Sequence, residues 1–313
     1  MEIKNTISAK KYNTRFAPSP SGDLHLGGCR TAYFNWLAAR ASGGKFILRI
    51  DDTNPEKNKP EYVDVILGVM DWLKLDYDEI YYQSKRFDRY REMAEYLINQ
   101  GKAKRLDDGA VVLCPESIHW TSIAEFLGAK PTGECLWHDE IAGWIKITAE
   151  DWAAIENLVL MRSNDTPTYH FASCVDDMDT GVNYILRGVD HISNTSRQIY
   201  ILAALAKSFE PAPKFAHVGL IHFEGRKLSK RDGSASMLYY KEKGYHPEAM
   251  LNFMARLCWG PTVDDKTTKM LPRERMLELF LTGGKMKSSP ANMDMAKLDS
   301  FDRKYKAQEK NHG

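Results

Sequence analysis

Residues 15–28 constrain this chain more than any other stretch of its sequence. A short apolar run at 14–17 is stopped by two prolines, and a glycine-containing turn then leads into a run at 29–41 that is typical of a helix. A loop that enters a helix at Gly27 or Gly28 presents unpaired backbone N–H groups and the positive end of the helix dipole. The spacing matches neither the GxxxxGK[ST] loop nor the GxGxxG loop. The segment therefore predicts an anion-binding turn of another kind.

A second loop, at residues 227–233, reads KLSKRDG and is dense in cations and glycine. Together with residues 18–28 it resembles the HIGH and KMSKS signatures of class I aminoacyl-tRNA synthetases. Further segments that resemble this family follow in the same order: LRIDDTNP at 48–55, PTYHF at 167–171, VDDM at 175–178 and ILRGVDH at 185–191. The chain resembles a bacterial-type glutamyl-tRNA synthetase that is shortened at its C-terminus, and the resemblance covers most of residues 12–305.

The early part of the chain alternates predicted strands and helices. A strand is predicted at 45–50, Pro60 opens a helix with apolar residues at helical spacing, and another helix at 86–100 ends at Gly101. This alternation predicts an α/β fold with a doubly wound, Rossmann-like parallel sheet. At 313 residues the chain exceeds one comfortable core, so we expect a catalytic domain with one or two smaller modules.

The pattern changes at three places and divides the chain into four segments: 1–101, 102–157, 158–235 and 236–313. The first and third carry the two halves of the catalytic domain, with strands in the third predicted at 158–161, 183–186 and 215–221 and a helix at 195–207. The second contains short strand-like runs and a helix at 115–127, which suggests an insertion. After Gly233 the chain reads as helices only, at 237–243, 247–258, 272–281 and 293–306.

The resemblance assigns a role to each of the smaller segments. It implies that the insertion at 102–157 binds the acceptor end of tRNA and that the helical module at 236–313 contacts the tRNA stem. In the family an anticodon-binding domain follows that module, whereas this chain stops before one.

Composition narrows the functional classes. With 43 Lys+Arg against 42 Asp+Glu the net charge is +1, so any RNA-binding surface must come from local clustering of cations. The five cysteines form no CxxC pair and no secretory framework. No apolar run approaches membrane length, and residues 1–11 lack the features of a signal or transit peptide. We therefore expect a cytoplasmic protein without a membrane partner.

The chemistry implied by the family determines what the two loops must do. Joining a carboxylate to the α-phosphate of ATP requires alignment and charge stabilisation rather than acid–base help, because the nucleophile is already ionised. A histidine at a helix N-terminus and mobile lysines supply that stabilisation. By resemblance the catalytic residues are His25, Lys227 and Lys230, and Mg²⁺ accompanies ATP. The implied ATP site consists of Pro18, Ser19, Gly22, His25, Gly27, Gly28, Lys227, Leu228, Ser229, Lys230 and Arg231.

A preference for glutamate over glutamine requires a fixed cation that meets the side-chain carboxylate. The resemblance implies that Arg187 is this cation, and glutaminyl enzymes lack an arginine at that position. An arginine at the end of a strand could also pair with Asp190. The implied glutamate site consists of Arg15, Ser19, Asp51, Tyr169 and Arg187.

Two positions depart from the pattern of bacterial glutamyl enzymes. Asp51, which by resemblance holds the substrate ammonium, stands where those enzymes usually carry glutamate, so its shorter side chain must lie nearer or act through water. Asp23 stands where an aromatic residue is common. A carboxylate close to ATP repels phosphate, so we expect Asp23 to face solvent.

The insertion also contains residues with metal-ligand chemistry: Cys114, His119, Cys135 and His138. Zinc sites usually use two close pairs of nitrogen or sulfur ligands. Some relatives hold zinc in this insertion through Cys-x-Cys and a later cysteine pair, but Val112 replaces the earlier cysteine here. We therefore predict no metal site.

Three functions remain open at this stage. The first is an ATP-dependent ligase that charges tRNA, most simply tRNA(Glu), with glutamate and acts as a monomer. The second is the short related family that glutamylates a modified anticodon base of tRNA(Asp), although its members typically keep the zinc cysteines and end differently, whereas residues 286–305 resemble the stem-contact segment of full synthetases. The third is a non-catalytic tRNA-binding paralogue, which would not need to retain His25, Lys227 and Lys230.

Overall fold

The computed structural model describes residues 10–127, 136–206, 212–228, 236–261 and 270–312. The helices are α1 (Leu26–Ser42), α2 (Pro60–Trp72), α3 (Phe87–Asn99), α4 (Trp120–Phe126), α5 (Ala149–Glu156), α6 (Tyr169–Asp179), α7 (Ile192–Leu205), α8 (Met237–Glu242), α9 (Pro247–Ala255), α10 (Arg273–Phe280) and α11 (Met295–His312).

The strands are β1 (Thr14–Phe16), β2 (Phe46–Ile50), β3 (Glu79–Tyr82), β4 (Ala103–Arg105), β5 (Val111–Leu113), β6 (Leu136–Asp139), β7 (Gly143–Lys146), β8 (Val159–Met161), β9 (Tyr184–Gly188), β10 (Lys214–Val218), β11 (Ile221–Phe223), β12 (Arg226–Lys227), β13 (Trp259–Pro261), β14 (Gly284–Met286) and β15 (Ala291–Asn292).

Two sets of parallel strands carry the site. Strands β1, β2 and β3 pair in parallel in that order, and β10 pairs in parallel with both β9 and β6. The backbone N–H groups of Asn183 and Tyr184 donate to the carbonyl of Asn13, which joins the two sets beside β1. This arrangement confirms the α/β prediction with a parallel sheet, and it places the carboxyl ends of β1, β2 and β9 on one side of the molecule.

Helix α1 is the central packing element. Its residues Tyr33, Phe34 and Leu37 are fully buried, because the helix contacts strands on one face and α9 and α10 on the other. Within it, the carbonyl of Asn35 accepts a hydrogen bond from Thr14 Oγ1, and Asn35 Nδ2 donates to the carbonyl of Leu186 at 3.0 Å. One buried residue, Asn35, therefore connects both strand sets to α1, the first set through its backbone carbonyl and the second through its side-chain amide.

The segment predicted as an insertion is joined to the second strand set. Strands β4, β5 and β8 form an antiparallel sheet, whereas β6 and β7 form a hairpin whose first strand pairs with β10 at Asp139 and Phe215. The helix predicted at 115–127 is instead a 3₁₀ turn at Pro115–Ser117 followed by α4. The domain boundaries at 101, 157 and 235 remain predictions.

The prediction that only helices follow Gly233 is wrong. Among the described residues there, three short strands occur: β15 pairs in parallel with β11, and β13 pairs with β14. The edge of β11 presents backbone hydrogen-bonding groups that residues 291–292 satisfy, so tertiary pairing rather than local pattern makes these strands. None of the helices in the described part of the chain is long and apolar enough to cross a membrane.

Candidate active site

A cavity of about 590 Å³ opens at the carboxyl ends of β1, β2 and β9. Of the predicted ATP and glutamate ligands, all that fall in the described residues line it: Arg15, Pro18, Ser19, Gly22, His25, Gly27, Gly28, Asp51, Tyr169, Arg187, Lys227 and Leu228. Ser229, Lys230 and Arg231 lie outside the described residues. The first loop, the first two residues of the second loop and Arg187 therefore line one cavity.

His25 is the N-cap of α1. Its backbone is extended, and its Nδ1 atom accepts a hydrogen bond from the backbone N–H of Gly28 at 3.0 Å. Because Nδ1 is an acceptor, the neutral ring carries its proton on Nε2. The first turn of α1 and the imidazole therefore both present donors at one end of the cavity, as an anionic phosphate requires.

The glycine at position 27 protects this arrangement. A Cβ atom there would lie 3.1 Å from His25 Nδ1 and 3.2 Å from its Cε1 atom, so a side chain would press on the ring. A Cβ at Gly28 would lie 3.1 Å from a methyl group of Leu24 and 3.6 Å from the His25 ring. The absence of a side chain at Gly27 and Gly28 therefore leaves space for the His25 ring and for a ligand in the cavity.

Lys227 reaches the cavity from β12. Its ammonium is 3.2 Å from Asp190 Oδ2, and both side chains are about half exposed. Partial burial alone would raise the pKa of Asp190, but the hydrogen bond from the Lys227 ammonium holds this pKa below its usual range. A Cβ at Gly188 would lie 2.5 Å from Asp190 Oδ1, so that glycine makes room for the carboxylate. This exposed pair is weak enough for a phosphate to replace Asp190 as the partner of Lys227.

Arg187, at the end of β9, has a different environment. It is 5% exposed, and its Nε atom donates to His217 Nε2 while Nη2 donates to Thr195 Oγ1 and Gln198 Oε1, both at 2.7 Å. Among the described residues, Nη1 reaches the Tyr169 hydroxyl at 3.5 Å. These partners are neutral, and Asp190 is not among them. Burial lowers the pKa of Arg187, so an anionic ligand at Nη1 would supply the charge that the guanidinium lacks.

Arg15 and Asp51 belong to a buried ionic network below the cavity. Arg15 Nε lies 3.1 Å from Asp177 Oδ1, and Arg49 Nη1 contacts the same oxygen at 2.6 Å. Arg49 Nε also contacts Asp51 Oδ1 at 2.7 Å. Burial raises the pKa of Asp51 to about 6, although the Arg49 charge opposes that shift. Asp51 is therefore poised at the cavity as a carboxylate that a substrate ammonium would stabilise.

The other predicted positions are also accounted for. Tyr169 begins α6 after the Thr168 N-cap, and Ser19 is exposed in the turn that follows β1. Asp23 is exposed at the rim of the cavity, as expected, and accepts a hydrogen bond from Ser236 at 3.2 Å. Of the four residues considered as metal ligands, Cys114 is buried, His119 and His138 are exposed, and Cys135 lies outside the described residues.

Several functional positions were not predicted from the sequence. His191 lines the cavity, and burial together with the Arg187 charge lowers its pKa to about 4, so it is neutral at physiological pH. Asp177 and Arg49 fix Arg15 and Asp51, and His217 contacts Arg187. The available signal was polar residues inside otherwise apolar strands, such as Arg49 in FILRI and His217 in KFAHV.

The arrangement can bind an anion, a cation and a phosphate chain in one hollow. Arg187 offers a buried cationic donor, Asp51 a carboxylate 5% exposed, and His25 with Lys227 a second cationic and dipolar region at the mouth. A small zwitterion with an acidic side chain complements the first two groups, and a nucleoside triphosphate complements the second region.

Comparisons with known proteins agree with this geometry. The family tRNA synthetases class I (E and Q), catalytic domain, matches residues 11–110 and 128–305. A glutamate–tRNA ligase of Nitrosomonas europaea is 39% identical in an alignment of 317 positions that includes 93% of this chain and 66% of the relative. The chain therefore spans about two thirds of the length of that curated relative.

Solved structures give the same result. The crystal structures of a glutamate tRNA ligase from Elizabethkingia meningosepticum and of the glutamate-tRNA synthetase from Elizabethkingia anophelis are each 26% identical to this chain with a TM-score of 0.73. Each match covers 95% of this chain and 70% of the solved one. Because the matched family segments contain every described residue that lines the cavity, the chain belongs to the class I tRNA synthetases of the glutamate and glutamine group.

Proposed function

We propose that this chain activates glutamate with ATP and transfers the glutamyl group to the 3′ end of a tRNA, most simply tRNA(Glu). The observation that carries the proposal is the buried Arg187 guanidinium, which faces the cavity and has neutral partners among the described residues. A glutamate side chain would give it a carboxylate, whereas the amide of glutamine would leave its charge unbalanced. The structure of the E. meningosepticum relative is a complex with its amino acid, which supports amino-acid binding by this chain.

The first step forms a bond between a glutamate α-carboxylate oxygen and the α-phosphorus of ATP and breaks the bond to the departing pyrophosphate. Negative charge develops on the phosphates, and His25, the N-terminus of α1 and Lys227 offer donors to it. We assign Lys230 to the same role by position in its loop. Mg²⁺ bound together with ATP would neutralise part of the phosphate charge.

The amino acid is held at both ends. Arg187 takes the side-chain carboxylate, Asp51 takes the ammonium, and Arg15 lies beside the carboxylates while Asp177 keeps it in place. Tyr169 and Ser19 complete the pocket. In the second step a tRNA hydroxyl attacks the activated carbonyl and AMP leaves. Residues 102–157 would bind the acceptor end and residues 236–313 the stem, in a monomeric protein located in the cytoplasm.

Glutamate-dependent exchange of pyrophosphate into ATP tests the activation step. We expect exchange with glutamate, not glutamine, and only when tRNA is present. Acceptor assays with tRNA(Glu), tRNA(Gln) and tRNA(Asp) then identify the nucleic acid. Exchange without tRNA, together with transfer to tRNA(Asp), would favour the anticodon-modifying enzyme, and no exchange under any condition would exclude an activating enzyme.

The variant Arg187→Gln tests amino-acid recognition. Loss of a buried hydrogen-bonded charge costs about 2–5 kcal/mol, so kcat/KM for glutamate should fall by at least about thirtyfold while the KM for ATP stays near its original value. The matched control is Arg197→Gln, which removes the same charge from α7 outside the cavity lining. An equal loss in both variants would contradict the assignment of Arg187.

A further inference from the structure

Behind Arg187, away from the cavity, lies a buried histidine–aspartate pair that the proposed chemistry does not use. His217 on β10 and Asp139 on β6 both have fully buried side chains. His217 Nδ1 and Asp139 Oδ2 are 2.6 Å apart, and His217 Nε2 is 3.1 Å from Arg187 Nε. The three side chains therefore form one row from the hairpin β6–β7 to the guanidinium at the cavity.

The direction of each hydrogen bond in this row follows from the donors present. The guanidinium can only donate, so His217 Nε2 must be an acceptor and carry no proton. Nδ1 then carries the ring proton and donates to Asp139. Burial and the Arg187 charge lower the pKa of His217 in spite of Asp139, which agrees with a neutral ring. The histidine is thus a single tautomer, with its proton on the side of Asp139.

Asp139 is fixed by its own loop. Its Oδ1 atom accepts from the backbone N–H groups of Ile141, Ala142 and His217 at 2.7–3.2 Å, which leaves Oδ2 for the imidazole. These donors and the imidazole hold the pKa of this carboxyl below its usual range despite burial. Asp139 is therefore ionised, and the hydrogen bonds to Oδ1 keep its Oδ2 atom directed at the His217 ring.

The contacts of Arg187 show that the row Asp139–His217–Arg187 sets the orientation of the guanidinium plane. Nη2 donates to Thr195 and Gln198, which both lie on α7, whereas Nε donates to His217 on the neighbouring strand β10. Two fixed edges define the plane of the guanidinium, and the remaining edge, Nη1, faces Tyr169 and the cavity. Loss of the Nε contact would leave the plane free to rotate about the Nη2 contacts.

We propose that Asp139 is a positioning residue for glutamate recognition: it fixes the His217 tautomer that accepts from Arg187 and thereby aims Nη1 at the amino acid. Asp139 itself does not touch the substrate. The inference rests on the proposed function, because it gives a purpose to the orientation of Arg187. The Asp139 carboxylate is separated from the Arg187 guanidinium by the His217 ring. Its negative charge therefore stabilises the buried guanidinium without occupying Nη1, the atom that would bind glutamate.

The variant Asp139→Asn tests the inference with a change of one atom. The three backbone N–H groups require an oxygen at the Oδ1 position, so the amide nitrogen must take the Oδ2 position and face His217 Nδ1 as a donor. The ring must then move its proton to Nε2, where two donors meet at Arg187, as happens when an amide replaces the carboxylate behind a catalytic histidine. We expect KM for glutamate to rise by about ten- to a hundredfold, the range for a lost hydrogen bond to a charged group, with kcat and the KM for ATP changing far less.

The spectroscopic readout is the pair of ¹⁵N signals of the His217 ring. In the original protein Nδ1 should be the protonated nitrogen, and in Asp139→Asn the protonated nitrogen should be Nε2. The matched control is Glu140→Gln, which removes the adjacent carboxylate but contacts Lys214 rather than the ring. An unchanged tautomer in Asp139→Asn, or an equal rise in KM in the control, would overturn the proposal.

A second pair of variants keeps the test independent of the folding of Asp139→Asn. His217→Gln can place its amide oxygen near the original Nε2 position and accept from Arg187, whereas His217→Leu has no acceptor. We expect the KM for glutamate to stay within about threefold in the first and to rise by about tenfold or more in the second. Equal values in the two variants would contradict the role of His217. Should the unaltered protein show no exchange, the proposed function fails, and the tautomer measurement still decides whether Asp139 sets the ring.

Discussion

Arg15, Arg49 and Arg187 are buried near the cavity and differ in what balances their charge. Arg49 contacts Asp51 and Asp177, and Arg15 contacts Asp177, so both are held by carboxylates of the protein itself. Arg187 is held by neutral atoms in the described part of the chain. Arg15 and Arg49 therefore organise the site, whereas the Nη1 edge of Arg187, which faces the cavity without a carboxylate of the described residues, suits an anionic ligand.

At the same scale, Asp51 predicts a pH dependence for the binding of glutamate. Its pKa is raised to about 6, and only the ionised carboxylate attracts the substrate ammonium. As pH falls through about 6, Asp51 takes up a proton and kcat/KM for glutamate should drop, approaching about tenfold per pH unit. His191, whose pKa is lowered to about 4, stays neutral across that window. The measurement is kcat/KM for glutamate and for ATP between about pH 5 and 8.

The variant Asp51→Asn is the control for that titration. It should raise the KM for glutamate at neutral pH and remove the inflection near pH 6, because no proton can then be taken up at this position. A flat profile in the original protein, or an inflection that survives in Asp51→Asn, would show that another group titrates.

At the scale of elements, Gly219 connects β10 to β11, whose residue Ile221 lines the cavity, and it contacts the C-terminal segment of the chain. Its N–H donates to the carbonyl of Lys287 at 2.9 Å, and its carbonyl accepts from Arg30 Nη2 at 2.6 Å. A Cβ atom there would lie 2.0 Å from the carbonyl oxygen of Ser289. Gly219→Ala should therefore displace residues 288–289 and lower the free energy of unfolding by about 1–3 kcal/mol, as overpacking does. Urea unfolding measures this loss.

Gly260→Ala is the matched control, since a Cβ at Gly260 meets nothing within 4 Å. Its effect on the free energy of unfolding should stay within about 0.5 kcal/mol. If the two variants were equally destabilised, the loss would come from removing glycine from a loop or strand and not from contact with residues 288–289.

The elements also show which parts of the structure can be predicted from sequence. Helices α2 and α9 begin at a proline and α3 has strong apolar periodicity, and the bounds predicted for them differ from the observed ones by a few residues. The strands β13, β14 and β15 are two or three residues long and have no periodicity, so they arise only when distant segments pair. The residues that line the cavity could be predicted because they lie in short sequence motifs. The pair His217 and Asp139 could not, because only the pairing of β10 with β6 brings these two residues together.

At the scale of the whole molecule, the cavity is shared by both halves of the chain. Arg15, Asp51 and the first loop come from the first half, whereas Tyr169, Arg187 and Lys227 come from the second. Helix α1 and its buried Asn35 hold the two halves together. Binding of an amino acid and a triphosphate therefore depends on the packing of the entire α/β core, and separate halves would not form the site.

The charged side chains are unevenly distributed over the molecule, although its net charge is only +1. Two of the three carboxylates on α11 face the protein: Asp299 accepts from the Tyr245 hydroxyl, and Asp302 accepts from the backbone N–H of His246, both at 2.7 Å. Arg303 and Lys304 are exposed on the outer face. A helix that turns its acids inward and its cations outward presents a basic surface that complements a phosphate backbone.

This surface predicts how the affinity for tRNA depends on salt. If Arg303 and Lys304 each contact a phosphate, the variant Arg303→Gln/Lys304→Gln should weaken tRNA binding and lower the slope of log affinity against log salt concentration by about 2, because fewer counterions are released on binding. The control is Lys306→Gln in the same helix, whose ammonium lies 2.7 Å from Asp302 and should change the slope much less. The KM for ATP should be unaffected in both variants. An unchanged slope in the double variant would mean that tRNA approaches another face, and the role assigned to residues 236–313 would then be wrong.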